Sequence, residues 1–518
     1  MSMTKQKYKN DCIIFDTLEN LVPQDHLVRK IERCMDFTFI EYEVKDLYSS
    51  VGRASIPPVV LFKLLLINKI FGINSMRKTC EECKVNIAYR WFLGLSMYDT
   101  IPNYSTWSKN YIRRYKDSDI FNKIFDRILE QAMDYNFIDM ETVFGDSTHQ
   151  KANANKNKNK NVKVEVVKKI YDDELLEEIN KDRKNHNKRP FEDIEKTEIM
   201  FDEETGKEII NIETKNIKMS LTDPESGCFH KGEKEKCFAY SHHVFTDKNG
   251  FVIEKKTIPG NIHDSVSFFP VYNSLNKKFK DKIKNVCLDS AYFTPAICRA
   301  IILNNQKAFM PYVRPKTKKD CFKKYEYVYD EYYDCFICPN NEVLNYSITD
   351  RKGYKHYKSN PDKCKNCPLR NKCTESKNFQ KVITRHIWEE RKEETAENRY
   401  TQEWKENYPF RKETVERTFA DCKEQHGLRF TRVRGLVKNE HNSTIIFACH
   451  NLKKMALWVD KYTNDNPKNK ENILENTIFS KILIKISKIK RQINLFTIKY
   501  TYLSTIWNTK YILVFFSF

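Results

Sequence analysis

The sequence predicts an α+β or α/β chain: a helical N-terminal part, then a mixed sheet covered by helices, with a cysteine-rich insertion late in the chain. Three observations predict it. Apolar runs with helical spacing mark residues 1–135. Beyond them the order is strand, hairpin, helix, strand, helix, strand, which suits a mixed sheet. Two Cys-x-x-Cys pairs then interrupt that alternation. A chain of 518 residues is too long for one compact core, so two or three domains are expected. The composition shifts place them at 1–135 and 136–458, with a Lys/Asn/Ile-rich tail over 459–518.

The N-terminal part is justified first. Pro57-Pro58 precedes VVLFKLLLINKIFGI, a strongly apolar helix, and proline suits a first helical turn. SMRKTCEECKVNIAYRWFLGL follows, with Cys80 and Cys83 read as core residues. Ser105-Thr106 are expected to cap STWSKNYIRRY. That segment gathers Lys109, Arg113 and Arg114 with Trp107 and Tyr111, the pattern of a short helix with a basic face that contacts DNA. A helical bundle with a solvated basic face is the plainer alternative.

ETVFGDSTHQ reads as a short strand ending at Asp146. An Asn/Lys-rich, highly charged stretch over 150–218 follows, expected to be poorly ordered or loosely helical and read as an insertion. Regular structure resumes with two β-rich runs flanking Asn249-Gly250, a strong hairpin signal. DSVSFFPVYNSLNKKF has helical spacing, KNVCLDS is a strand ending at Asp289, TPAICRAIILNNQ a helix and KAFMPYV a strand. Residues 315–385 form the Cys-bearing insertion. YPFRKETVERTFADCKEQHG is a helix stopped by Gly427, and NSTIIFACHNLKKMALW is the last.

Charge narrows the function. Lys and Arg number 90 against 70 acids, a net charge of +20. A surplus of this size fits an anionic partner, and nucleic acid leads, because Lys and Arg neutralise phosphates. A charged soluble protein from an AT-rich genome would look similar. No secretory signal opens the chain, and no stretch reaches the ~18 apolar residues of a spanning helix. A cytoplasmic, nucleoid-associated protein with no membrane partner is therefore expected. Its 16 cysteines are expected to be reduced.

Cutting or joining a phosphodiester uses two Mg²⁺ ions about 4 Å apart, held by carboxylates on rigid elements. Asp146 and Asp289 each close a strand and would project from one sheet edge if those strands are neighbours. Glu416 borders the stripe Val415, Phe419, Cys422 on a late helix, and Lys423 lies seven residues on, on the same face. Asp264, Asp281 and Glu413 are competing acids, and a capping or solvated role is the ordinary one for each acid.

The ordered blocks VPQDHLVRKI, IPPVVLFKLLLINKIFG, FGDSTHQKANANKNK, VFTDKNGFVIEKKTIPGNIHDSVSF, VCLDSAYFTP and YPFRKETVERTFADCKEQHGLRFTRVRGL add a resemblance. Over about residues 10–458 the chain resembles the DDE-type insertion-sequence transposases of the 1182 group, relatives of the insertion-sequence 4 and 5 groups. The resemblance implies an RNase H-like catalytic core that binds terminal inverted repeats and cleaves and transfers strands with two Mg²⁺ or Mn²⁺ ions, working as a homodimer. It puts the acids at Asp146 in FGDST, Asp289 in LDSAY and Glu416 in TVER. The family's Tyr and Arg before the Glu, and its Lys seven residues after, match Tyr408, Arg411 and Lys423 in kind. Arg411 sits five residues before Glu416, one more than the family's spacing, and Lys412 sits at that spacing, so either could be the DNA contact. A domesticated nuclease with the same core, or a catalytically inactive DNA-binding remnant, are the rival readings.

Cys335-x-x-Cys338 and Cys364-x-x-Cys367, separated by 25 residues, are candidate ligands of a structural Zn²⁺, and Cys373 could replace one of them. Reduced thiols that need no metal are the alternative. His149, His263 and His450 are expected to be polar or capping residues, since none has a full partner set.

Overall fold

The computed structural model describes residues 16–465, apart from residue 53 and the stretches 166–170, 192–198, 202–207, 211–213, 232–234 and 315–316. Residues 466–518, most of the predicted tail, lie outside the described residues. Among the described residues no helix is long and apolar enough to cross a membrane.

The N-terminal helices build around one of their number. The helix Pro58–Ile70, opened by Pro58 as the sequence suggests, buries side chains on every side, including Lys63 and Asn68. A helix apolar all round must sit in a core. Its two buried polar groups are answered: Lys63 pairs with Glu32 at 2.8 Å, and Asn68 Nδ2 donates to Thr79 Oγ1 at 2.9 Å. The helix Met76–Val85 buries Cys80 and Cys83 against it. The segment expected to start at Ser105 starts earlier. Asn103 accepts from Ser105 N–H and caps the helix Tyr104–Asn110, which runs into a π-turn over Tyr111–Tyr115. Asparagine serves this position as well as serine does.

Strands follow in chain order: β1 Thr142–Lys151, β2 Asn159–Glu165, β3 Ile199–Phe201, β4 Glu208–Ile210, β5 Thr214–Ser220, β6 Gly227–Lys231, β7 Glu235–Thr246, β8 Val252–Pro259, β9 Asn285–Cys287 and β10 Lys307–Phe309. The main sheet has the order β10-β9-β1-β7-β6-β5-β2, with β8 also paired to β7. β7 runs antiparallel to β1 and β8, while β9 lies parallel to β1 and to β10. The Asn249-Gly250 hairpin joins β7 to β8. Gly250 has φ +76°, and Asp247 ties the turn by accepting from Phe251 N–H and Asp139 N–H. The crossover helices Asp264–Phe279 and Pro295–Leu303 lead into β9 and β10.

Two further expectations change. β1 does not end at Asp146: it continues to Lys151, paired residue by residue with β7, so Asp146 lies mid-strand. The polar run Ser147 to Gln150 holds the ladder because its side chains find partners, as Gln150 does on His242. The described parts of the 150–218 stretch are also regular. β2 pairs with β5 from Asn159↔Ser220 to Glu165↔Thr214, and the helix Asp172–Asn185 follows β2. Val162 and Val164 alternate with polar residues, a strand's period, inside a Lys/Asn-rich composition.

The cysteine-bearing insertion is a second sheet, β11 Val328–Asp330, β12 Cys335–Ile337, β13 Val343–Thr349, β14 Tyr354–Lys358 and β15 Val382–His386, antiparallel in that order. Its small core is Tyr327, Phe336, Leu344, Tyr357 and Ile383. It docks on the helix Asp172–Asn185, where Lys355 pairs with Asp182 at 2.7 Å and Arg183 Nη1 donates to Thr349 O at 2.7 Å.

The last helix, Leu436–Asp465, joins the parts. It packs on the helices Leu27–Cys34, Pro58–Ile70 and Ile120–Asp134 and on β8. One hydrophobic cluster thus runs from Val22 to Val459, with no break at residue 135.

Candidate active site

Register places the first two acids. Phe144 on β1 lies opposite Cys287 on parallel β9. Asp146 lies two residues beyond this last pair on β1 and Asp289 two residues beyond it, past the end of β9, near enough for the charge of Asp289 to act on Asp146. Asp289 sits just past β9, where its Oδ1 accepts from Ala291 N–H at 2.7 Å and caps a short 3-10 turn. The ordinary capping role is therefore real for Asp289, and it fixes the carboxylate beside its neighbour.

Alternation along β1 sorts what each residue meets. Thr142, Asp146 and Gln150 share one face. They touch Asn407, Arg411 and Gly427 in turn, so this face is covered by the segment that carries the helix Val415–Gln425. Ser147 points the other way and donates from Oγ to Asp264 Oδ1 at 2.9 Å, at the start of the helix Asp264–Phe279.

Asp146 is pushed up to about 6, chiefly by burial and then by the negative charges of Asp289 and Asp264. Arg411 and the Ser147 N–H oppose that rise: Arg411 Nη2 donates to Oδ2 at 2.8 Å and Ser147 N–H to Oδ1 at 2.7 Å. Burial also raises Asp264, and Asp289 adds to it. Three carboxylates thus act on one another here, a crowding that a bound cation would relieve. Asp264, a competing acid in the sequence, belongs to this group, and its distant position in the chain hid that.

A buried polar set lies behind Asp264. His243 Nε2 stands 3.6 Å from Asp264 Oδ1, and Tyr292 OH is 3.3 Å from His243 Nδ1. Burial lowers His243 to about 3, so it is neutral and the Asp264 contact is not an ion pair. Neither His243 nor its neighbour His242, bonded to Thr257 and Gln150, stood out in the sequence. Two adjacent histidines inside a strand carry no local signal of burial.

Glu416 is exposed on the first turn of its helix, whose buried residues are Val415, Thr418, Phe419 and Cys422. Among the described residues it makes no hydrogen bond or ion pair with Asp146 or Asp289. It lies in the segment between Arg411 and Gly427 that crosses the sheet face of Asp146, with its own side chain exposed. No group of three or more His, Cys, Asp or Glu side chains among the described residues is arranged to hold a metal ion. Asp281 and Glu413, the other competing acids, form no hydrogen bond or ion pair with this group among the described residues.

The basic candidates divide by exposure. Arg411 is buried, spent on Asp146 and lying 5.9 Å from the Tyr408 ring centroid, whereas Lys412 is exposed. Burial is the main reason that His242 is held neutral, and Lys423 adds to it after His149 and His243. Tyr408 is stacked on Trp404 at 4.7 Å. In the N-terminal part, Lys109 and Arg113 are exposed, while Arg114 turns inward over the Tyr48 ring at 4.4 Å.

The cysteines also divide. Residues 335 and 338 lie three apart along an extended run and so face opposite ways. Phe336 and Cys338 face the small core, and Cys335 is buried on the other side, near Asp330 and Asp334. Cys338 and Cys373 pack on that core. The Cys373 thiol is raised by burial first and then by Cys364 and Cys338 nearby, and Tyr327 OH stands 3.2 Å from its sulfur. Cys367 follows on the same turn, its N–H donating to Cys364 O at 3.3 Å. Of the histidines, His263 caps the helix Asp264–Phe279, His450 bonds Gly250 O at 3.2 Å, and His149 stacks on Phe229 at 3.7 Å.

Two family models match the chain. A transposase DDE domain matches residues 337–456, a span that holds Glu416 and most of the small sheet but neither Asp146 nor Asp289. A transposase domain, DUF772, matches residues 16–113. No curated protein and no solved structure matches the chain.

Proposed function

We propose that this chain, an insertion-sequence DDE transposase by its two family matches, cuts DNA at its element's terminal inverted repeats and joins the freed ends to target DNA. The observation that carries the proposal is the parallel pairing of β1 with β9, which ends at Phe144↔Cys287 and brings Asp146 and the Asp289 just past β9 close enough to act on one another, under the face that the segment 407–427 covers. The order β8-β7-β1-β9-β10, with the first three antiparallel and the last two parallel to β1, supports an RNase H-like reading of the sheet.

The donor set suits hard divalent ions, being oxygen only and negatively charged. Asp146, Asp289 and Glu416 would hold them, and when bound the ions would activate the attacking oxygen and stabilise the leaving one. The remaining work falls to side chains. Arg411 and Ser147 N–H fix both oxygens of Asp146. The Ala291 N–H fixes Asp289. Lys412, Lys423, Lys109 and Arg113 are assigned to phosphates, which position DNA without reading its sequence.

A separate structural Zn²⁺ held by Cys338, Cys364, Cys367 and Cys373 is a second proposal, carried by the chemistry of the thiols and not by their arrangement, since among the described residues no three of them are set around a common ion. Soft thiolates suit zinc, and the small core of five residues is slight enough to need a staple.

The test is the purified full chain with Mg²⁺ or Mn²⁺ and DNA carrying the element's own ends. Cleavage leaving 3′-OH ends, followed by their transfer into a second DNA, is expected. Cleavage without transfer would favour the nuclease reading. Binding with no cleavage by folded protein would favour the inactive remnant.

A further inference from the structure

A cavity opens where the chain past Asp289 and past β10 meets the small sheet. It is a cleft of about 290 Å³ between the small sheet and the main body. Phe293, four residues past Asp289, forms part of one wall, and Tyr312, three residues past β10, forms another part. Leu288 N–H donates to Phe309 O, so the wall continues the sheet edge that carries Asp289.

The lining has two characters. One is aromatic. Tyr312 is 42% exposed and Tyr325 is 64% exposed, and both rings carry cations: Arg399 stands 4.6 Å over Tyr312 and Lys323 5.7 Å over Tyr325. The other is cationic. Five Lys and Arg side chains line the cleft against two carboxylates, Glu389 and Glu393. Glu389 is taken by Lys324 at 3.2 Å and Glu393 by Arg385, while Arg314 and Lys323 form no ion pair among the described residues. The net lining is positive.

Exposed aromatic faces beside unpaired cations suit a flat, anionic ligand. Bases stack on such rings whatever their identity, and phosphates meet the cations. The volume is at the low end of small-molecule pockets, room for a nucleotide-sized group and far too small for a duplex. We propose that this cleft holds unpaired nucleotides of a DNA single strand. The proposal rests on the transposase reading for the identity of the nucleic acid. It adds a place for a separated strand.

The test uses the full chain, a fluorescein-labelled oligothymidylate and a blunt duplex with the same label, read by anisotropy. Wild type should bind both. Tyr312→Ala with Tyr325→Ala should weaken oligothymidylate binding roughly tenfold or more and leave duplex binding unchanged. The matching Phe variants should bind like wild type, because the ring carries the stacking. Arg314→Glu, on the exposed rim, should also weaken oligothymidylate binding, which keeps the test decisive if the alanine pair fails to fold. Unchanged oligothymidylate affinity in the alanine pair and in Arg314→Glu would overturn the proposal. So would full displacement of the oligothymidylate by polyglutamate at equal charge, which would point to an acidic peptide. Cleavage at the element's ends, measured separately, keeps the two readings apart: cleavage with unaffected oligothymidylate binding sinks only the cleft.

Discussion

Asp146 is held between a cation and two like charges, and each partner makes its own prediction. A carboxylate raised to about 6 is protonated, and a poor cation ligand, in mildly acidic solution. Cleavage should therefore have an acidic limb set by this group. Asp264 is one of the charges that raise it, so Asp264→Asn should move that limb to lower pH without removing a proposed ligand. A single-turnover pH profile checks this, and an unmoved limb would contradict the coupling. The stability consequence has the opposite slope. A raised carboxylate favours the fold when protonated. Its contribution is full below its unfolded pKa and is lost as pH rises through about 6. Arg411 limits that loss. Arg411→Ala should destabilise the protein by about 2 kcal/mol, less than for a fully buried pair because the Asp146 side chain keeps 20% exposure. Lys412→Ala should leave the melting temperature alone and lower the salt slope of DNA binding by about one. Equal effects of the two substitutions on stability would refute this division of roles.

At the scale of elements, strand alternation separates Cys335 from Cys338, and the zinc proposal can be tested through that difference. Metal analysis of purified protein should find about one zinc per chain. Cys338→Ser and Cys373→Ser should lose it, and Cys335→Ser should keep it, because Cys335 faces away from the small core. Zinc lost with Cys335→Ser and kept with Cys373→Ser would restore the two Cys-x-x-Cys pairs as the ligand set. Much of the main sheet was legible in the sequence. Asn249-Gly250 marked its hairpin, and the apolar runs at Val286 and Ala308 marked β9 and β10. β2 and β5 were hidden because Lys and Asn dominate their composition while the valines keep the period. The small sheet was hidden because tyrosines, not aliphatic residues, fill much of its core. Asp146 and Asp289 were singled out by their place near strands and by the resemblance, although Asp146 proved to lie within its strand and not at its end. Asp264 and the choice between Arg411 and Lys412 could not be read locally, since both depend on contacts between residues more than a hundred positions apart.

At the scale of the molecule, the helical part is not self-sufficient. The helix Pro58–Ile70 is buried all round, and the last helix supplies part of that cover. Phe121 stacks on His441 of the last helix at 4.3 Å, and Phe137 meets Trp458 at 5.5 Å. A fragment of residues 16–135 would expose this surface to water. It should lack a cooperative thermal transition, and a sharp one would contradict the shared core. The exposed Lys109 and Arg113, the proposed DNA contacts of the helical part, are accordingly held relative to the sheet by the same packing. On the proposed function, the +20 charge would attract DNA through its phosphates, while the proposed acids would act at one place.

The most direct test of the central claim measures cleavage and DNA binding together in Asp146→Asn, on one preparation, with Mg²⁺ or Mn²⁺ and the element's own ends. The substitution nearly keeps the side chain's volume and an acceptor for Arg411, and it removes the negative charge that a metal needs. Cleavage should fall to background while binding stays within the wild-type range, because binding depends on Lys and Arg. Full cleavage by Asp146→Asn would contradict the account outright. Loss of binding and folding together would mark Asp146 as a structural residue, not the first acid of the site.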